Sequence, residues 1–280
     1  MASCSDPRMT YLNESGYNVV RLPSRGITPL GVIGCDGKSR SWLGTLDQIW
    51  VSDQPIPKAG DPKTAAGLSG ARTNNIESSI GLEILANALV GMLGGATPSV
   101  NASYESARFV QFAFKDVRAV GIDPFRINDF LTSGELKGGP FVERFFSGKF
   151  GIEALVISEI LEARAIGVTA KRDMKTTMDV DVPQIQAAVG AKVKVSSGSD
   201  GKTEVVYEGD DYLTFGFKAF GIAREGGRWK IYGKPPSGKT AYLVGDEKEE
   251  LPALVEGNEL VDIDFPAPGP LSNALCSGRP

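Results

Sequence analysis

The sequence contains very few residues of the kinds that most enzymes use for catalysis. It has no histidine and only three cysteines, Cys4, Cys35 and Cys276, in 280 residues. Histidine is the commonest general base and the commonest transition-metal ligand, and three scattered cysteines do not make a structural zinc site by themselves. Catalysis by carboxylates or lysine remains conceivable, but we expect a protein that is not an enzyme, with no catalytic, cofactor or metal site.

One stretch matches a phosphate-binding motif. GKPPSGKT, which starts at Gly233 and ends at Thr240, fits GxxxxGK[ST] and follows a strand-like run. A P-loop surrounds phosphates with consecutive backbone N–H groups at a helix N-terminus. Here two prolines remove donors, and the next residues look like a strand and an acidic loop. We favour a lysine-bearing turn; a P-loop nucleotide-binding enzyme stays an alternative.

Two acidic pairs have the residue types for acid–base or divalent-metal chemistry. They are Asp210 with Asp211, and Asp179 with Asp181. The sequence alone gives them no geometry, so we interpret them as ordinary turn and strand-surface residues.

Cys4 lies near the start of the chain, among small and polar residues. Chain ends usually fray, so a thiol there has little reason to be a core cysteine. It is either an inert exposed thiol or a site of reversible acylation. A lipoprotein signal is excluded because Met-Ala-Ser-Cys has no apolar segment before the cysteine.

The overall composition is that of a soluble globular protein. Hydrophobic residues make up 41% and charged residues 23% of the chain. The sequence shows no signal peptide, and its longest apolar stretch, residues 84–96, is too short for a transmembrane helix. Sparse cysteines favour a reducing compartment, so we expect a cytoplasmic chain. A pI of about 5.2 and dispersed basic residues argue against nucleic acid as a partner.

Charge is concentrated near the C-terminus. Residues 246–264 hold eight acidic residues against Lys248 alone, in a chain with a net charge of −4. The preceding 245 residues are therefore slightly basic. Such a run is either a solvated tail or a tail that masks a basic surface.

The elements that position these residues are mainly strands. Strand-like runs at residues 17–22 and 27–33 flank the turn residues 23–26. Residues 52–73 read as a loop of uncertain order. Residues 76–93 predict a helix that ends at Gly94-Gly95, with Leu82, Leu85, Ala86, Leu89, Met92 and Leu93 on its apolar face. Another helix starts at Asp123-Pro124 and ends near residue 134.

Strand signals dominate the rest of the chain. Residues 104–120 alternate, with Val110, Phe112 and Phe114 on one side. Residues 198–201, GSDG, predict a hairpin turn. In the following strand Leu213, Phe215 and Phe217 alternate with Thr214, Gly216 and Lys218, and two short strands follow at 229–232 and 240–244. Residues 152–171 are ambiguous, because their spacing and composition admit both a helix and a strand.

The sequence resembles the bacterial gasdermins, pore-forming proteins of prokaryotic antiphage cell-death systems. The resemblance is carried by Cys4 beside Asp6-Pro7, by YL at 11–12 with GYNVVRLPSRGITPLGVIG at 16–34, and by LGTLDQIW at 43–50. LVISEILEARAIGV at 155–168 looks like the long strand of animal gasdermin pore domains. The resemblance to bacterial gasdermins extends over the whole chain, with a short acidic tail in place of a separate inhibitory domain.

The resemblance implies an α+β fold: a twisted, mostly antiparallel central sheet with peripheral helices, in which 152–171 is a strand. It implies a pore-forming domain at 1–245 and an autoinhibitory C-terminal peptide at 246–280. It also implies that Cys4 carries a palmitoyl group.

The implied mechanism begins with proteolysis. An activating protease, caspase-like or other and encoded nearby, cuts somewhere from Val244 to Asn258. The cytoplasmic monomer then moves to inner-membrane lipids and assembles with itself into a large β-barrel pore. A tilted membrane strand needs about 9–11 residues, and two hairpins cannot close a barrel, so an oligomer is required. The alternative from another class is a soluble β-rich binding or structural module without membrane activity.

Overall fold

A 20-residue strand runs through the centre of the protein, and the other strands are arranged around it. The computed structural model describes residues 17–36, 39–73, 75–95, 100–137, 139–147, 152–198, 201–233 and 242–243. The strands are β1 (Asn18–Ser24), β2 (Gly31–Asp36), β3 (Ser39–Thr45), β4 (Trp50–Ser52), β5 (Lys63–Thr64), β6 (Ile76–Glu77), β7 (Phe109–Gly121), β8 (Gly134–Leu136), β9 (Ile152–Lys171), β10 (Lys194–Gly198), β11 (Gly201–Glu225), β12 (Arg228–Gly233) and β13 (Tyr242–Leu243). The helices are α1 (Leu46–Ile49), α2 (Ser78–Leu93), α3 (Pro124–Thr132), α4 (Pro140–Phe145) and α5 (Val182–Val189), with a 3₁₀ turn at Asn101–Tyr104.

The main sheet is antiparallel throughout its described pairings and is built on β9 and β11. On the edge that faces away from β11, β9 pairs with β2 over residues 152–156 and with β7 over residues 159–171. The other edge of β11 is shared by β10, β1 and β12. Strands β4 and β8 form a separate two-stranded sheet. The α+β fold with a mostly antiparallel sheet and peripheral helices is confirmed.

Residues 152–171 are a strand, as the family resemblance implied. Only five of these twenty positions are more than marginally exposed, so both faces of the strand are covered. Burial between two neighbouring strands outweighs the helix preference of its alanines and glutamates, because local propensity is a weak prior.

The predicted strand at 27–33 is wrong in its position. The chain turns at Leu30, whose φ is +65°, and β2 begins only at Gly31. The Leu30 amide donates to the Ile157 carbonyl of β9 at 2.8 Å, which stabilises this conformation. Alternation of apolar residues did not reveal the turn because Leu30 is itself apolar and buried.

Helix α2 confirms the prediction at 76–93 except at its start and in the face that is buried. Ile76–Glu77 form a strand against β7 instead. Leu82 and Ala86 were expected in the core but are half-buried, whereas Ile84 and Ala88 are buried. Relative to the predicted orientation, the helix is rotated about its axis because it approaches the sheet at two glycines. A Cβ on Gly81 would lie 1.9 Å from Val110, and one on Gly91 would lie 2.8 Å from the Pro23 carbonyl oxygen.

The termini of the helices follow the sequence signals. Gly94 ends α2 with φ +70°, the left-handed conformation that glycine adopts without strain. Asp123 caps α3, where its side chain accepts from the Phe125 amide at 2.9 Å. Asp181 caps α5 in the same way, by accepting from the Gln184 amide.

Residues 60–73, which were predicted as part of a loop of uncertain order, lie along the outer edge of β7. We call them the edge segment. Besides the β5 pairing, the amides of Gly60, Ala65, Gly70 and Thr73 donate to the carbonyls of Gly121, Val117, Phe114 and Phe112 over 2.8–3.0 Å. The glycine and proline content did not indicate this role, and only two consecutive residues of the segment form a strand.

Three clusters of buried apolar side chains hold the sheet. The first includes the apolar faces of α2 and α5 with the C-terminal half of β9. The second packs α3 and α4 on the N-terminal half of β9, and includes a mutual contact of Trp50, Phe146 and Trp229 with ring centroids 5.6–6.0 Å apart. The third, which we call the strand cluster, contains Val20, Ile27, Ile33, Cys35, Leu155, Ile157, Ile160, Phe217 and Ala219, and none of these residues lies in a helix.

Strand β11 changes register three times against β9. The largest irregularity lies between Glu208 and Leu213, and another lies between Thr214 and Gly216. The second moves Phe217 to the strand cluster, whereas Leu213 and Phe215 belong to the first cluster. The predicted alternation that placed all three on one side is therefore wrong at Phe217, because a bulge reverses the faces of the following residues.

Within the described ranges, no helix combines the length and the apolar character that a membrane crossing requires.

Candidate functional site

Where β7, the C-terminal half of β9 and the N-terminal part of β11 lie side by side, the three strands have one apolar and one polar face. On β7 the side chains of Val110, Phe112 and Phe114 are buried in the first cluster, as the alternation predicted. Lys115 and Arg118 lie outside that cluster and are partly exposed. Strand β9 repeats the pattern in its C-terminal half, where Leu161, Ala163, Ile166, Val168 and Ala170 are buried in the first cluster and Glu162 and Arg164 are partly exposed.

The apolar face is covered by helices and by contacts across β9. Helix α2 contacts β7 and β11, and the buried residues of α5 belong to the same cluster. Phe114 of β7 and Phe215 of β11 stack with their ring centroids 4.0 Å apart, although β9 lies between their strands. Tyr104 and Tyr207 are buried beside them and share a hydrogen bond of 2.7 Å between their hydroxyl groups.

The polar face has its own contact across β9. The Lys115 ammonium of β7 lies 2.8 Å from the Glu204 carboxylate of β11, whose side chain is 2% exposed. Gly167 of β9 provides the space: a Cβ there would lie 2.3 Å from Glu204 Oε1 and 3.1 Å from Lys115 Cε. Gly198 of β10 provides space on the other side of the Glu204 carboxylate, since a Cβ there would lie 2.1 Å from Glu204 Oε2.

A second polar contact surrounds Tyr212 in the β11 bulge. The Arg118 guanidinium lies 3.5 Å from the centre of the Tyr212 ring and also donates to Glu162 at 2.8 Å. The Tyr212 hydroxyl donates to Asp116 at 2.7 Å, and this hydrogen bond raises the pKa of the tyrosine. The Asp116 carboxylate also lies 3.0 Å from Arg164. Polar groups of all three strands thus meet at one level of the sheet.

The chain enters the described body through Tyr17, which is tied to β9. Its hydroxyl donates to Glu159, and the Lys218 ammonium lies 3.1 Å from the same carboxylate. Lys218 also lies 4.3 Å from the centre of the Tyr17 ring. Burial, followed by the contact with Glu159, raises the pKa of Tyr17 well above its ordinary value. The first described residue of the chain therefore lies against the central strand.

The two sites expected from the sequence, Cys4 and the region from Val244 to Asn258, lie outside the described residues, as does the domain boundary at 245/246. The phosphate-binding match gains no support, because Gly233 ends β12 and the next described residues, Tyr242–Leu243, pair back on it as a strand.

The acidic pairs behave as turn and surface residues. Asp211 forms an ion pair with Arg25, and Asp181 is a helix cap. Among the residues that the structure describes, no group of three or more Cys, Asp or Glu side chains is arranged to hold a metal ion.

Sequence reasoning missed the polar contacts over β9. The sequence patterns singled out neither Lys115 nor Glu204 as a contact residue. The available signal was Gly167, because a glycine within a strand often marks the close approach of another group.

The arrangement is suited to a sheet that changes environment. Long antiparallel strands carry an apolar face that helices cover and a polar face that ion pairs cross. Such strands can place the apolar face against lipid when the helices move away.

Comparisons with known proteins agree with this arrangement. The chain is 32% identical over 268 residues to the gasdermin bGSDM of Vitiosangium sp., and the aligned region covers 94% of this chain and 99% of that protein. It is 30% identical to the gasdermin bGSDM of a Desulfuromonadales bacterium, over 87% of this chain and 96% of that protein. The solved structure of a bacterial gasdermin from Bradyrhizobium tropiciagri has a similar fold, with a TM-score of 0.55 at 15% identity over 80% of this chain and 89% of that one. The sequence model of the Bacterial Gasdermin Family matches residues 20–230, and the chain therefore belongs to the bacterial gasdermin family.

Proposed function

We propose that this protein is a pore-forming cell-death effector of antiphage defence that stays inactive in the cytoplasm until a protease removes its C-terminal peptide. Membership of the bacterial gasdermin family supports a pore-forming effector rather than an enzyme. Proteolytic activation, insertion into the inner membrane and a β-barrel pore are the parts that the proposal adds.

The observation that carries the proposal is the amphipathic unit of long strands. β7 has 13 residues, and it pairs with residues 159–171 of β9 along its whole length. Both exceed the roughly 9–11 residues that a tilted strand needs to cross a bilayer. One face is apolar and the other polar, which is the alternation of a barrel wall.

Insertion requires assembly. Backbone groups in lipid need partners, so only a closed barrel can be built from strands, and one copy supplies too few. Many copies therefore contribute to each pore.

The strand cluster is the surface on which we place the inhibitory peptide. Its described members and the partly buried residues packed against it, Trp42 and Val120, all lie outside helices. Residues 261–265 of the tail, VDIDF, alternate apolar and acidic side chains. An extended segment with this pattern can turn Val261, Ile263 and Phe265 to an apolar surface and both aspartates to solvent.

The proposal includes a palmitoyl chain on Cys4, sheltered partly by α2. A cavity of about 400 Å³ lies between the β1 turn and the C-terminal end of α2, and it is lined by Pro23, Ser24, Arg25, Asn87, Val90, Gly91, Gly94 and Gly95. A buried acyl chain gains about 0.8 kcal/mol per CH₂. Because a single chain anchors a protein only marginally to a membrane, release of the chain assists insertion but does not replace it.

The test is dye leakage from liposomes that contain anionic lipid. A recognition sequence for a site-specific protease replaces residues 248–254, and the chain is assayed intact and cut. We expect no leakage from the intact chain and rapid leakage after the cut, with the protease alone as control. A cut and separated body that releases no dye refutes the proposal and favours the soluble β-rich module.

A further inference from the structure

The four strands β7, β9, β11 and β10 form an antiparallel unit, and on each of its two outer edges one polar side chain takes the place of a strand partner. The unit is ordered β7-β9-β11-β10, so its outer edges belong to β7 and β10. Unpaired strand edges are templates for pairing with another chain. The inference rests on the proposed function, in which copies of this chain assemble through strands.

At the β7 edge, which the edge segment covers, this residue is Thr73. Its amide donates to the Phe112 carbonyl at 2.9 Å, and its hydroxyl accepts from the Phe112 amide at 3.0 Å. Thr73 thereby occupies both outward backbone groups of Phe112, as a residue of a neighbouring strand does in an antiparallel pair. Its own carbonyl accepts from the Gln111 side chain at 3.0 Å, and Thr73 is 2% exposed.

At the β10 edge this residue is Gln186 of α5. Its side-chain amide donates to the Val193 carbonyl at 3.0 Å and accepts from the Val195 amide at 2.8 Å. A side-chain amide carries the same donor and acceptor as a peptide group, so Gln186 acts on this edge as a one-residue strand. A third bond, to the Gly190 carbonyl at 2.7 Å, holds it to the end of its own helix.

The strand directions allow the two edges to pair with each other. Neighbours in the unit are antiparallel at every step, so β7 and β10 run in opposite directions. Copies related by rotation about a common axis therefore bring β10 of one copy antiparallel to β7 of the next. Such head-to-tail pairing closes into a ring without interrupting the alternation.

We propose that Thr73 and Gln186 are edge plugs, and that β7 and β10 pair with a second copy of this chain only after both plugs leave. The plugs make their bonds only in the unassembled protein. Removing a plug weakens that state and leaves the assembled state unchanged, because the incoming strand supplies its own backbone groups.

The decisive experiment fixes one plug in place. Arg72 and Ala113 face each other in an isolated β-bridge next to Thr73, so the pair Arg72→Cys and Ala113→Cys can form a disulfide that ties the edge segment to β7. The matched control is Val51→Cys with Glu135→Cys, a directly paired position in the separate β4–β8 sheet. Both proteins carry the engineered cleavage site and are assayed for leakage after the cut, oxidised and then reduced with dithiothreitol.

We expect the oxidised Arg72/Ala113 protein to release no dye and to recover on reduction, while the control leaks in both states. Equal leakage from the oxidised tether and the control overturns the inference and leaves the pore itself intact. If the cut wild-type protein does not leak, the proposed function fails and the inference fails with it.

Side-chain variants test each plug by itself. Thr73→Val removes the hydroxyl that accepts from the Phe112 amide, and Gln186→Leu removes three side-chain hydrogen bonds. We expect leakage after the cut to be roughly three- to tenfold faster for Thr73→Val, the equivalent of about one lost hydrogen bond, and faster still for Gln186→Leu. Thr64→Val in the edge segment and Gln184→Leu in α5 are controls on exposed side chains that no described hydrogen bond uses. Unchanged or slower leakage in either plug variant, with unfolding temperatures like those of the controls, refutes the role of that plug.

Discussion

Lys115 of β7 and Glu204 of β11 form an ion pair across β9, the strand that lies between theirs. The two groups are 2.8 Å apart and meet above Gly167 of β9, so β7 and β11 are joined directly on the polar face. On the apolar face Phe114 and Phe215 join the same two strands. The central strand is therefore held from both sides by its neighbours.

Removing the lysine should destabilise the protein more than removing an exposed cation. Lys115→Met leaves the buried Glu204 carboxylate without this counter-ion, and we expect a loss of about 1–3 kcal/mol in the free energy of unfolding. Arg25→Met is the matched control, because the Arg25–Asp211 pair is about half exposed and should cost less than about 1 kcal/mol. Urea unfolding of both variants measures the difference, and equal losses contradict the structural role of the pair.

A methyl group on Gly167 should break the same contact without removing a charge. In Gly167→Ala the new Cβ meets Glu204 Oε1 at 2.3 Å, so the carboxylate has to move. We expect a loss of about 1–3 kcal/mol, as for other overpacked sites. Gly216→Ala in β11 is the control, since its Cβ would make ordinary contacts at 3.5 Å and beyond. A Gly167→Ala protein as stable as the control shows that the space above Gly167 is not needed.

Stability should be insensitive to pH near neutrality and should fall in alkali. The chain has no histidine to titrate between about pH 5 and 8. Burial raises the pKa of Tyr104 and Tyr207, and raises that of Tyr232 to about 12. The unfolded chain loses these protons near pH 10 while the folded protein keeps them, so the stabilising effect is full below that pH and is lost as pH rises through the folded values.

Urea unfolding measured from about pH 6 to 12 checks the alkaline loss. A protein with both Tyr104→Phe and Tyr207→Phe should lose stability less steeply above about pH 10 than the wild type. Identical slopes show that this buried pair does not contribute.

Cys4 should carry a thioester-linked acyl chain when the protein is expressed in its native bacterium. We expect intact-mass analysis to show a C16 increment that hydroxylamine removes, and we expect Cys4→Ala to leak more slowly after the cut at an unchanged unfolding temperature. Cys276→Ala is the control thiol. An unmodified Cys4 together with a fully active Cys4→Ala protein reduces Cys4 to an exposed thiol.

A charge within the alternating tail segment should release the body without proteolysis. If VDIDF docks on the strand cluster as proposed, Ile263→Asp places a carboxylate against apolar side chains, where it costs far more than in water, so the intact chain should leak dye. Leu271 lies outside the alternating segment, so the intact Leu271→Asp protein should release no dye. Silence of the intact Ile263→Asp protein contradicts the docking of VDIDF on the strand cluster.

Much of the sheet was predictable from sequence, because it depends on local alternation and turn chemistry. The faces of β7, the turn between β10 and β11, the C-terminal end of α2 and the start of α3 followed such signals. The position of β2, the rotation of α2 and the face of Phe217 did not. They depend on a left-handed Leu30, on two close-packed glycines and on a bulge, and each is set by a partner distant in sequence.

The contacts of the candidate site are non-local in the same way. Lys115 and Glu204 are far apart in the chain and meet only because β9 lies between their strands. Thr73 lies in a segment whose composition indicated a loop, and Gln186 closes an edge through its side chain rather than its backbone. Residue types alone do not distinguish such groups from ordinary surface polar residues.

The tryptophan positions give the protein intrinsic optical probes of its own activation. Trp50 and Trp229 lie 5.7 Å apart under the helices, whereas Trp42, the third tryptophan of the chain, packs against the strand cluster. A chain with Trp50→Phe and Trp229→Phe would emit from Trp42 alone. Its emission should shift to longer wavelength when the peptide departs and water reaches the indole, so the lag between peptide release and membrane leakage can be timed in one cuvette without a label.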